Sequence, residues 1–95
     1  MQTTQTGPRA KAKIKSLTAT CSRHIGTAKS NFIAAQKALD GGIGDLAEAN
    51  GQLWHQAGEE CMDNALTCIS KIQKLGASEE QLAPIWEAFL ANQQA

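Results

Sequence analysis

Two runs of apolar and small residues, spaced as on an α-helix and mirrored about a glycine pair, constrain this chain more than any other feature. In the first half Ala10, Ile14, Leu17, Cys21, Ile25, Ala28, Phe32, Ala35 and Leu39 recur every three or four positions. In the second half Ile43, Ala47, Asn50, Trp54, Ala57, Cys61, Ala65, Cys68 and Ile72 do the same. That is the spacing of one helical face. When the second run is reversed and laid against the first, paired positions always sum to 82. An antiparallel helical hairpin bending at Asp40-Gly41-Gly42 satisfies this relation. Sizes alternate across the proposed seam: Ile14 meets Cys68, Leu17 meets Ala65, Ile25 meets Ala57, Ala28 meets Trp54 and Phe32 meets Asn50. Large opposite small is what close packing favours. The repeat slips off a strict heptad, which predicts fairly straight helices with little supercoil.

Local signals set the boundaries. Pro8 suits the first turn of a helix, where its missing N–H costs nothing, and glycine after Leu39 supplies a left-handed stop. Asp45 with Glu48 reads as a capping box for a second helix, with Ile43 as its staple, and Ser78 with Gln81 reads as a box for a third. The second stripe keeps phase through Gly51 and Gly58, so the second arm is expected to run unbroken past Asn50-Gly51. Each glycine there costs about 1 kcal/mol relative to alanine, and the mirror pairing returns room for Asn31 and His24 opposite them. The third helix presents Leu82, Ile85, Trp86, Phe89 and Leu90, with Pro84 marking a kink or a later start. The expected elements are residues 8–39, 44–75 and 79–92 in one domain of residues 8–95, after a disordered tail of residues 1–7.

The chain is therefore expected to be all-α: a long antiparallel hairpin plus a shorter C-terminal helix, a three-helix bundle able to dimerise into a larger one. The absence of tyrosine and the abundance of Ala, Gln, Glu and Lys point the same way. A helix pair within 95 residues buries little apolar surface by itself, so the third helix must cover part of it. Its matching stripe is Met62, Leu66 and Ile69. A helix of some 14 residues spans only about 20 Å of arms about 45 Å long, so the half nearest the bend is left without a third wall. There Ile33, Leu46 and Leu53, with Phe32 and Trp54 partly in the seam, are expected to form an apolar partner-binding surface.

Charge is segregated although the net is zero. Arg9, Lys11, Lys13, Lys15, Arg23, Lys29 and Lys37 face no acid in residues 1–39, whereas residues 40–95 hold nine acids and only Lys71 and Lys74. One reading pairs the two arms along the seam, as in coiled coils. Another gives Arg9, Lys11, Lys13 and Lys15 an anion. These four crowd the start of the first helix, where the helix dipole disfavours cations; Glu79 and Glu80 are the candidate partners within the chain.

For chemistry the candidates are few. Cys21, His24 and Cys61, with Cys68 and His55 nearby in the mirror register, could assemble a zinc site, but the spacing matches no closed zinc module. Inert buried thiols are the simpler reading, with a Cys21–Cys61 disulfide as the oxidised alternative. No acid is placed to orient either histidine, and Gly41-Gly42-Ile43-Gly44 follows no strand as a phosphate loop would. The expected function is thus non-catalytic and cofactor-free: an adaptor, chaperone-like partner or inhibitor that works by occupying a surface of another protein, or of itself as a homodimer. Such an inhibitor would use the acids of residues 45–63 against a nucleic-acid site, or Arg9 to Lys37 against an acidic protein. The alternative is non-specific nucleic-acid binding through the basic first turns; a helix-turn-helix is excluded because Glu79, Glu80 and Glu87 would repel phosphate. Three cysteines, no secretory segment and no apolar run of about 20 residues point to a cytoplasmic protein off the membrane.

Overall fold

The computed structural model describes residues 7–42 and 44–94 and contains three helices: α1 (Pro8–Gly41), α2 (Asp45–Lys74) and α3 (Glu79–Gln94). The architecture is the expected hairpin with a shorter third helix, drawn out to 60 × 18 × 15 Å. None of the helices is long and apolar enough to cross a membrane. The expected disordered tail, apart from Gly7, and the expected staple at Ile43 lie outside the described residues.

Each terminus has a chemical cause. Pro8 opens α1 after an extended Gly7. α2 closes with the two bonds of a Schellman turn, Gly76 N–H to the Gln73 carbonyl at 3.0 Å and Ala77 N–H to the Ile72 carbonyl at 3.3 Å. Gly76 there takes a φ of 95°, which glycine adopts without a Cβ penalty. α3 opens with the Ser78–Gln81 box: the Gln81 side chain accepts from Ser78 N–H at 2.8 Å, and Gln81 N–H donates to the Ser78 hydroxyl at 3.2 Å. The helix therefore starts at Glu79, and Pro84 lies inside it. At the hairpin bend the expectation is corrected. α1 runs through Gly41, Gly42 is extended, and Gly44, at φ 80°, is the N-cap of α2. No side-chain capping bond is made there; Asp45 and Glu48 instead lie in the first turn, where carboxylates suit the positive end of the dipole.

Because the bend falls later, the register also changes. Phe32 packs against Gly58, where an added Cβ would lie 2.5 Å from its ring, and Leu39 packs against Gly51, where the same distance is 2.8 Å. The Cys21 thiol donates to the Ala65 carbonyl at 3.6 Å. Phe32 was expected against Asn50, and Cys21 against Cys61, so α2 sits at least a turn farther along α1 than the mirror pairing places it. Gly58 therefore makes room for Phe32, not His24, and Gly51 for Leu39, not Asn31. The buried set shows why: Ile14, Cys21, Ala28 and Ala35 on α1, and Gly51, Gly58, Ala65 and Ile72 on α2, each recur at sevens. This is a heptad-spaced seam with small residues at most of its positions, a spacing that keeps one face of each helix toward its partner.

α3 folds back over the lower half of the hairpin, as expected. Leu82, Ile85 and Phe89 are buried against Ile14, Ile25, Met62, Ile69 and Ile72, with Trp86 partly buried beside them. Leu66 and Leu90, expected inside this contact, are exposed. Asn92 continues the buried face: its side-chain N–H donates to the Ile25 carbonyl at 2.8 Å and lies 3.6 Å from the Met62 sulfur. A buried amide needs such a partner, and its position pins the end of α3 at the level of Ile25.

Candidate functional site

Beyond that point no third wall covers the hairpin among the described residues. α1 has 34 residues and α3 has 16, about 51 Å against about 24 Å at 1.5 Å per residue. The unfilled bed is an open groove of about 1350 Å³. Phe32, Ala35, Leu39 and Gly51 form its floor, Lys29, Ile33 and Gln36 stand on the α1 side, and Phe89 and Asn92 close its lower end. The α2 side carries Glu48, His55, Glu59 and Asp63 among glutamines, with Met62 and Leu66 below. The Phe32 ring lies 5.2 Å from His55, tilted by 46°, and His55 approaches Glu59 at 3.8 Å one turn on.

The apolar residues expected to act together are divided by this geometry. Ile33, 47% exposed, lines the groove. Leu46, 81% exposed, borders a smaller hollow at the bend with Lys37, Ala38 and Ala47. Leu53 and Trp54, 65% and 44% exposed, line neither. Leu46 and Leu53 are seven apart and so share one stripe of α2. Trp54, expected against Ala28, stands outside the buried seam because Gly51 and Gly58 occupy it. The open half is thus present as expected, but the large apolar residues that line its groove from α1 are Phe32, Ile33 and Leu39.

Arg9, Lys11, Lys13 and Lys15 are all exposed on the first two turns of α1. At 100° per residue Arg9 and Lys13 form one stripe and Lys11 and Lys15 another about 200° away, so they straddle buried Ile14 instead of forming one patch. Among the described residues the only ion pair within 4.0 Å is His55–Glu59. The charges of the two arms do not pair across the seam, and Glu79 and Glu80 do not pair with the basic turns.

The cysteines and histidines are not gathered. Cys21 is buried beside Ala65 and near Cys68; burial first, and that neighbouring thiol second, push its pKa up from 9.0 to about 11. Cys61 instead receives the Asn31 side-chain amide at 3.8 Å, ten positions along α1 from Cys21, so the expected Cys21–Cys61 facing pair is replaced by Cys21 near Cys68. No group of three His, Cys, Asp or Glu side chains able to hold a metal occurs among the described residues, and Cys21, His24 and Cys61 do not form one.

Sequence reasoning gave Gly51 and Gly58 the wrong partners across the seam, read the acids of residues 45–63 without the glutamines between them, and missed Asn92. Signals for the first and last were present: seven-residue spacing through Gly51, Gly58, Ala65 and Ile72, and continuation of Leu82, Ile85 and Phe89 to Asn92. The chain matches no family model, no curated protein and no solved structure.

Proposed function

We propose that this protein is a non-catalytic interaction module that works by receiving another protein in the groove on the open half of its hairpin. The observation that carries this reading is the truncated third layer: α3 stops at the level of Ile25, and the same bed continues as a groove with Phe32, Ile33 and Leu39 along it. A contiguous uncovered apolar surface with a polar rim is the usual mark of an interface. Adaptor, chaperone-like and inhibitory roles share this mode of action, since each needs a rigid surface and no reacting group.

The test compares two exposed leucine-class positions. Ile33→Asp and Leu53→Asp should both leave thermal stability nearly unchanged, since neither side chain is buried. Proteins recovered with the intact chain from its source cell, quantified by mass spectrometry, should be lost with Ile33→Asp and retained with Leu53→Asp. Equal recovery with both variants contradicts the groove as the working surface.

A further inference from the structure

We infer that the occupant of the groove is an amphipathic α-helix of a different protein, about four turns long, carrying a row of Lys or Arg on the edge that faces α2. This deepens the proposed function and rests on it. α3 sets the shape: its buried Leu82, Ile85, Phe89 and Asn92 follow steps of three, four and three in the bed of which the groove is the continuation. A helix with the same spacing fits that continuation, and helix-in-groove docking is the recognition mode open to a hairpin surface without strands.

Charge selects the edge. The α2 wall carries Glu48, Glu59 and Asp63, whereas the α1 wall offers Lys29 alone. No Lys or Arg among the described residues lies within 4.0 Å of any of these acids. An incoming helix with cations along that edge gains attraction, and one with carboxylates is repelled.

Symmetry argues against a second copy. α3 fills the lower half of this face in every copy, so two hairpins can share the groove only with their bend ends overlapping and their helices antiparallel. The two-fold axis then crosses the groove and sets α2 against α2. Each row of Glu48, Glu59 and Asp63 would meet its own duplicate.

The test is a display library of 16-residue helices with the apolar spacing of α3 fixed and both edges randomised, selected on the full chain. Enriched sequences should carry Lys or Arg along one edge and bind about tenfold more tightly than counterparts with Glu there, with the advantage shrinking as salt rises. The doubly substituted chain Glu59→Lys, Asp63→Lys should select acidic edges instead. Binders abolished by Ile33→Asp but lacking charge bias would overturn this inference and leave the groove reading standing. Binders indifferent to Ile33→Asp, or no enrichment at all, would overturn both. A dimer in sedimentation that Ile33→Asp dissociates would make the occupant a second copy and also overturn the inference.

Discussion

Gly58→Ala tests the seam because helix propensity and packing act on it in opposite directions. In a helix interior alanine is favoured over glycine by about 1 kcal/mol. Gly26 supplies the free case: it lies inside α1 with nothing within 4 Å of an added Cβ, so Gly26→Ala should stabilise by about that amount and raise Tm by roughly 4–8 °C. At Gly58 the added methyl would lie 2.5 and 2.7 Å from Phe32 Cε1 and Cδ1, closer than carbon atoms pack. The ring must swing away from the seam and from His55. Overpacking of this kind costs about 1–3 kcal/mol, which cancels or exceeds the propensity gain, so Gly58→Ala should be neutral or up to about 2 kcal/mol destabilising. Urea unfolding of both variants, and of Gly58→Ala in a Phe32→Leu background, measures the difference directly. In that background the smaller side chain leaves room, and the substitution should recover most of the Gly26→Ala gain, a coupling of about 1 kcal/mol or more. A Gly58→Ala chain stabilised as much as Gly26→Ala would refute the packing of Phe32 on Gly58, and with it the heptad register.

Two further perturbations examine other parts of the structure. Asn92→Ala removes the buried bond to the Ile25 carbonyl and should cost about 1–2 kcal/mol; amide exchange should quicken through α3 while the hairpin seam keeps its protection. Cys21 holds its proton to about pH 11 in the folded chain against an ordinary value of 9.0, so the stability linked to it is intact below about pH 9 and is lost as pH rises toward 11. Urea midpoints followed across that window should fall more steeply for the intact chain than for Cys21→Ala, and equal slopes would contradict the assignment.

Helix ends and the short third layer were legible because they rest on local chemistry and on length. Pro8, the Ser78–Gln81 box and the Gly76 stop each act within a few residues, and an α3 too short to cover the hairpin follows from counting turns. Register was not legible in the same way. Hydrophobic pattern reading weights Trp54 heavily and places it in the seam, whereas close helix approach rewards the smallest residue. Gly51 and Gly58 therefore take the seam and Trp54 is left beside it. The bend was misplaced for a related reason: of its glycines only Gly44 adopts positive φ, a choice made by chain geometry that any of them could satisfy. Once register moves, every wall of the groove moves too. Ile33 could be recognised as part of the open half, while His55 becomes a neighbour of Phe32, and Glu48 and Glu59 a wall of the same groove, only when α2 is set against α1 correctly.

The central claim is that the open half of the hairpin, between Lys29 to Leu39 on α1 and Glu48 to Asp63 on α2, receives a helix. Amide and methyl NMR of the full chain, titrated with the tightest-binding basic amphipathic peptide, tests it most directly. The account predicts that the largest shifts cluster at Phe32, Ile33, Gln36, Gln52, His55 and Glu59, with Arg9 to Lys15 unmoved. Shifts concentrated at Arg9 to Lys15, or on the Leu46 and Leu53 stripe, would contradict it.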